Sequence, residues 1–356
     1  PVEVEAEAGL PEPQVAVAED TAAVVEELSA AELVIVDDAG QALPMASQEA
    51  AQVISAPDPW VVRGGVTHRF MADCTGQPVD ANNTCTVTTT PVQDAINFAL
   101  SGETVYIGAG TFVEDIEVVG KDITLQGEPG AIIQSPDVIN ADFNVSGTDR
   151  KPIVYVSNAT VTIDSIIVDG AGKGNANYSF IGIAYYNAGG TISNNTIMNI
   201  QNTPFSGTQH GVGIYAFNGD GVARELNVIG NVVQDFQKNG MALFGNELTV
   251  HVEDNEVYGI GDTSVTAQNG IQVSDVKGGT IKNNKVGDVW YTGPNWGSSA
   301  IIVYNVQDLM ALEGNEITNS QMGINVTNST IAASGNLIKD NEWGMIIYGD
   351  GTNSTL

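Results

Sequence analysis

The sequence predicts an all-β protein wound as a parallel β-helix, with a short capping helix before the first coil and an acidic N-terminal extension. Three observations predict it: a loose repeat along most of the chain, an aliphatic column at one point of that repeat, and an asparagine column at another.

The aliphatic column comes from aligning Gly-Ile pairs and their equivalents. It reads Ile183, Ile214, Met241, Ile271, Ile301, Ile324 and Met345, at steps of 31, 27, 30, 30, 23 and 21 residues. Such uneven steps exclude a heptad or a helical solenoid but suit coils whose turns accept insertions. Two residues on stand Tyr185, Ala216, Leu243, Val273, Val303, Val326 and Ile347, mostly apolar and so expected to point inward as well. The second marker is apolar-x-x-Asn-x-apolar, centred on Asn195, Asn231, Asn255, Asn284, Asn315 and Asn336. Asparagine tolerates the left-handed backbone of a sharp turn, and stacked amides can donate to and accept from neighbouring coils. These six are expected to be structural.

Ahead of the repeat, Thr90 and Gln93 are spaced as a capping box around Pro91. Val92, Ala95, Ile96, Ala99 and Leu100 then form one apolar stripe of a helix that Gly102 ends. The run PVQDAINFALSGETVYIGAGTF resembles the opening of the pectin-lyase-like β-helix superfamily, and the whole resembles large secreted bacterial surface β-helix proteins. The resemblance spans roughly residues 88–356. It implies a right-handed, single-stranded parallel β-helix. The expected organisation is an extension over 1–60 and a β-helix over 61–356, with a cap over 61–102 and about eight to ten coils. Because the sequence stops inside a coil begun near Glu342, truncation at the C-terminus is expected.

Residues 1–60 carry thirteen acidic side chains, and the first basic residue is Arg63. Val2 and Val4 alternate with Glu3 and Glu5, giving a strand with one apolar face. Leu33, Val34, Ile35 and Val36 read as a second strand, with helices over 21–31 and 47–55. Either strand is a candidate for adding to another subunit by β-augmentation.

The chain of 356 residues has 43 acidic against 12 basic side chains, a formal charge of -31. That charge repels phosphate backbones and anionic lipid, so nucleic acid and membrane surfaces are not expected partners. No cofactor is expected, and the metal question stays open, because an acidic surface collects Ca2+ yet no calcium-binding loop motif is present. Cys74 and Cys85 are expected to pair, which points to an oxidising compartment. No apolar run reaches the roughly 18 residues of a membrane span, and a start at Pro1 suggests a removed export signal, so secretion to the extracellular space or cell surface is expected.

In the enzymes of the resembled superfamily, activity lies on an outward strand face furnished with carboxylates or a basic arginine. The equivalent positions here are Tyr186, Phe217, Phe244, Ser274, Tyr304, Thr327 and Tyr348, flanked by Ala184, Tyr215, Ala242, Gln272, Ile302, Asn325 and Ile346, with no acid, Lys, Arg or His. General acid and base work on a glycosidic bond needs two carboxylates. No catalytic set is found, and His210-Gly211 lacks the partners of the polygalacturonase histidine motif. Aromatic rings instead dominate the face, which calls for a cover or a ligand. The turns over 169–179, 199–210, 258–268 and 287–299 are expected either to fold over it or to form a groove in which Trp290, Tyr291 and Trp296 stack on sugar rings. The expected role is a non-enzymatic structural or adhesive protein, self-associating through its extension or joining other surface components. The alternative is a polysaccharide-binding or polysaccharide-degrading β-helix, as lyase or hydrolase.

Overall fold

The computed structural model describes residues 58–140 and 142–349. The candidate strands at Val2 to Val4 and Leu33 to Val36, and the two helices of the extension, lie outside the described residues.

From Thr104 onward the chain winds through three sheets in turn. The first coil runs Thr104–Ile107, Gly110–Val113 and Ile116–Val119, one strand in each of sheet 1, sheet 2 and sheet 3 respectively. Sheet 2 has nine strands, one per coil, so nine coils are described. All pairing between coils is parallel.

The inward columns stack as the spacing predicts. Ile183 pairs in register with Ile214, and the line continues through Met241, Ile271, Ile301 and Ile324 to Met345. It also extends back to Val154 and Ile116. All but Met345 are buried, and Ile347, in the second column, is likewise more open in the last coil. The glycine that precedes most of these aliphatics, though not Ile301, Val154 or Ile116, has a separate reason to be there. A methyl placed on Gly240 would lie 2.4 Å from Val257 Cγ1 and 2.8 Å from the carbonyl oxygen of Gly270, so the coils approach closely at this line.

The asparagines form one continuous ladder. Each side chain from Asn195 to Asn315 donates from Nδ2 to Oδ1 of the next asparagine, over 2.8 to 3.0 Å. Each Nδ2 also donates to a carbonyl of the coil before, and each backbone N–H to the next Oδ1. The left-handed backbone sits one residue earlier than expected, at Asn194, Gly230, Asp254, Asn283, Gly314 and Gly335. The ladder residues themselves are therefore chosen for their amides, and the turn falls to the preceding position.

At the N-terminal end, Trp60–Arg63 pairs antiparallel with both Val66–Met71 and Thr104–Ile107, ending the run of parallel pairing in sheet 1. Trp60, assigned from sequence to the extension, thus belongs to the sheet and stacks on Tyr106 at 5.3 Å. Cys74 and Cys85 form the expected disulfide, with Cα atoms 6.0 Å apart. The helix Pro91–Phe98 buries Val92, Ala95 and Ile96 over the first coil, with Ala99 behind them. Two expectations fail here. Leu100 lies beyond the helix and is exposed, and the capping box does not form, since Thr90 makes no side-chain cap. Glu114, buried in the first coil, takes its place by accepting from the N–H groups of Val92 and Gln93 at 3.1 and 3.0 Å. Gln93 is thereby released to bond both backbone groups of Glu117.

Replacing Asn255 with alanine removes an acceptor from the buried N–H of Asn231 and a donor from the carbonyl of Val228. The variant is expected to lose about 2 kcal/mol in chemical denaturation, in the range for buried groups deprived of a partner. A surface Asn changed to alanine should lose almost nothing.

Candidate functional surface

Outward residues of sheet 3 form two columns in register. One runs Glu117, Tyr155, Ala184, Tyr215, Ala242, Gln272, Ile302, Asn325, Ile346; the other runs Val119, Ser157, Tyr186, Phe217, Phe244, Ser274, Tyr304, Thr327, Tyr348. Their outward direction follows from strand alternation against the buried aliphatics. Three parallel-stacked sheets, one strand per coil in each, and an aliphatic interior settle the architecture. This is a parallel β-helix.

No protein-family model matches the sequence, and no curated protein matches it. Among solved structures, the β-helix is similar to a GH136 lacto-N-biosidase from Eubacterium ramulus, at 13% identity and a TM-score of 0.41, over 81% of this chain and 64% of that one. It is also similar to pectate lyase Pel9A, at 13% identity and a TM-score of 0.31, over 82% and 78%. The third is ORF18 of Geobacillus virus E2, at 13% identity and a TM-score of 0.37. The chain spans 57% of that viral protein's length.

A hairpin covers part of the outward face. Phe143–Val145 pairs antiparallel with the start of Thr148–Ser157, turning at Ser146 and Gly147, both left-handed. Phe143 stacks on Tyr155 at 5.2 Å and leans on Tyr186 at 4.8 Å. With Val145, Ile181, Ala184, Tyr215 and Ala242 they make a small second core on the outside of the sheet. The cover was expected from the turns beginning at residue 169. It comes from the corresponding turn one coil earlier, between Gln134 and Thr148.

Beside the hairpin the rings are accessible. Val145, Arg150, Val212, Tyr215, Phe217, Asn239, Ala242, Phe244 and Gln272 line a cleft of about 310 Å³. The Arg150 guanidinium lies 5.5 Å from the centre of the Tyr215 ring, and its Nε is sealed from solvent with no hydrogen-bond partner. Phe217 and Phe244 also wall a second cleft of about 470 Å³, reaching Asn218, Glu247 and Asp275. Before Asn239, Lys238 lines a third of about 390 Å³ with Gln209, Thr266, Tyr291 and Trp296. The three follow one another along the strands Val212–Phe217 and Asn239–Phe244, roughly 20 Å at the usual rise per residue.

The aromatic set named from sequence is therefore divided. Tyr291 and Trp296 share the third cleft, with Trp296 76% exposed, while Trp290 lies on the sheet 2 strand Lys285–Tyr291 outside the clefts. Phe217 and Phe244 line the first. Tyr186 is half-covered by the hairpin, and Tyr304 stands exposed two coils beyond Phe244, away from all three. A further concavity of about 580 Å³ lies on sheet 1 and is polar. Its Arg224 is already paired with Asp220 at 2.6 Å, and Asp122 accepts from Thr160 N–H, so its charges serve the fold.

One set of groups escaped the sequence reading. Gln93, Asp115, Ile116, Glu117, Asn140 and Asp142 line a cleft of about 240 Å³ on the other side of the hairpin. Burial, reinforced by the Asp115 and Glu117 carboxylates, pushes Asp142 up to about 7. The outward face is thus free of acids only from Ala184 onward, since Glu117 opens its first column. The signal was legible: Ile116 and Val118 repeat the spacing of Ile183 and Tyr185, and extending the columns back two coils would have found it. The carboxylates line one cleft without converging, and among the described residues no group of three or more His, Cys, Asp or Glu could hold a metal ion.

His210 is structural. It is buried, with Nε2 2.9 Å from Asn202 Oδ1, Nδ1 accepting from the N–H of Phe180, and its ring against Tyr178. Burial pulls its protonation below the ordinary imidazole value. The unfolded chain then binds the proton more readily, so His210 contributes stability that is lost as pH falls below the ordinary value. In NMR at about pH 6, where a free imidazole is mostly charged, the His210 ring is expected to keep the shifts of the neutral form. A mostly charged ring would place it in solvent.

Proposed function

We propose that the protein is an extracellular glycan-binding β-helix whose ligand lies along the clefts of sheet 3. The observation that carries this reading is the accessible pair Phe217 and Phe244 beside Tyr215, with Arg150 lining the same cleft. Aromatic faces suit the apolar faces of pyranose rings. The cationic Arg150 guanidinium lining that cleft suits a carboxylate or sulfate carried by the sugar. The chain's overall negative charge opposes such a ligand at long range, but that field is screened beyond about 8 Å at physiological ionic strength, whereas the Arg150 contact is local. The disulfide supports an oxidising compartment, and among the described residues no helix is long and apolar enough to cross a membrane.

Calorimetric titration with matched acidic and neutral oligosaccharides tests the reading. Acidic glycans are expected to bind more tightly, and Phe217→Ala or Phe244→Ala to weaken binding roughly two- to tenfold. Arg150→Gln should erase the preference for the acidic member while sparing the neutral one. No heat across a broad panel would remove the proposal.

A second reading, glycan cleavage, is favoured by the Asp115, Glu117 and Asp142 cleft alone, where a carboxyl group pushed up to about 7 stands among two others. It requires new reducing ends that Asp142→Asn abolishes.

A further inference from the structure

The hairpin stands between two dissimilar clefts on one face of sheet 3. On one side are the rings of Tyr215, Phe217 and Phe244, and on the other the carboxyl groups of Asp115, Glu117 and Asp142. Its own residues join the two, since Asp142 begins it and Val145 and Arg150 wall the aromatic side. Asp142 N–H donates to the carbonyl of Arg150 at 3.1 Å, which closes its base. Whatever moves Asp142 therefore moves the wall of the aromatic cleft.

We infer that this hairpin is a pH-operated cover: protonated Asp142 lets it lie closed on Tyr155, Tyr186 and Tyr215, and ionised Asp142 drives it open by repulsion from Asp115 and Glu117. The inference rests on the glycan-binding reading only for its purpose, not for its mechanism.

Every neighbour of Asp142 points the same way. Asp115 and Glu117 face it from the strand region of the first coil, and Tyr155, with its own ionisation pushed up by burial, lies in the next. From the capping helix comes Gln93, which is neutral and already bonded to the backbone of Glu117. On the hairpin itself Asp149 is bonded by Asn144, and Arg150 is turned to the Tyr215 ring. No lysine or arginine lines the carboxylate cleft.

What holds the cover down is limited. It is the burial of Phe143 and Val145 on the sheet, with the Phe143 ring against Tyr155, Tyr186 and Tyr215, since the antiparallel pairing joins only the hairpin's own two arms. Lifting it would bare Tyr155, Tyr186 and the rest of Tyr215, lengthening the aromatic platform and joining it to the carboxylate cleft.

The direction follows from proton linkage. Closed, Asp142 holds its proton up to about 7; open and solvated, it has the ordinary aspartate value of about 4. The open state binds fewer protons between these values, so opening becomes more favourable as pH rises from about 4 to about 7, by at most tenfold per unit, and levels off above.

Hydrogen exchange of the ligand-free protein, corrected for intrinsic rates, tests this at about pH 5 and about pH 8, which bracket the closed-state value. Amides of residues 143–150 are expected to exchange at least tenfold faster at the higher pH, with the asparagine-ladder amides as an unchanged reference. Asp142→Asn should stay slow at both. Should that variant fail to fold, Glu117→Gln provides the second arm, because removing one facing charge should move the midpoint to lower pH. Equal protection at both pH values, the same pH dependence in Asp142→Asn, or an unmoved midpoint in Glu117→Gln would overturn the inference. Since no ligand is present, a hairpin that opens on this schedule stands even if glycan titration fails.

Discussion

Vertical register is the constraint on which the molecule depends. Each coil leaves its strand edges unpaired until the next coil covers them, so the backbone bonds of one turn are made by residues about thirty positions away. A slip of one residue would turn Ile183 and Ile214 outward and Tyr186 and Phe217 into the core. Two devices prevent it. The aliphatic column opposes that slip because it would be exposed, yet it tolerates a slip of two residues, which keeps the same face inward; the asparagine ladder tolerates neither, because Asn195, Asn231 and their successors bond only when aligned. The hydrophobic column supplies the stability and the amide ladder the specificity.

The same rigidity makes the outward face usable. Side chains on sheet 3 inherit their spacing from the stacked coils, so Phe217 and Phe244 stand side by side without any local loop to arrange them. Variation is left to the turns between sheets 2 and 3. In one coil that turn becomes the hairpin carrying Phe143, in another it brings Gln209 to a cleft and buries His210 against Asn202, and in a third it brings Trp296 to the cleft that Gln209 lines. Function and stability thus occupy different parts of each repeat, as expected where a repetitive scaffold carries irregular loops.

What could be read from sequence follows this division. Ile183 and its counterparts, the six asparagines and Cys74 with Cys85 are set by period or by pairing, and all stand where expected. The capping box failed because a better acceptor, Glu114, arrives from a coil more than twenty residues away, and propensity at Thr90 carries no information about it. The hairpin was missed for a related reason. Residues 142–150 read as two short alternating segments around Ser146 and Gly147, but nothing in their order says that they lie across Tyr155 and not beside it. The carboxylate cleft was legible in principle, and was passed over because the columns were begun at Ile183 although the pattern already starts at Ile116.

Asp142 also shows how little of a carboxylate's behaviour resides in its own residue type. Glu103, bonded by Arg63, and Asp220, bonded by Arg224, are each held at about 2, and Asp164 is held there by four donors from Ser193, Gln126, Ser165 and Asn194 despite the burial that opposes it. Asp142 has the burial without the donors, and its nearest charges are of its own sign. In a chain with 12 basic residues against 43 acidic ones, most carboxylates can find water but few can find a cation. Covering one of them with a hairpin therefore sets a cost on its ionisation that the fold does nothing to offset. An asparagine at 142 would carry no such cost, so the hairpin's sensitivity to pH resides in this one carboxyl group and its surroundings.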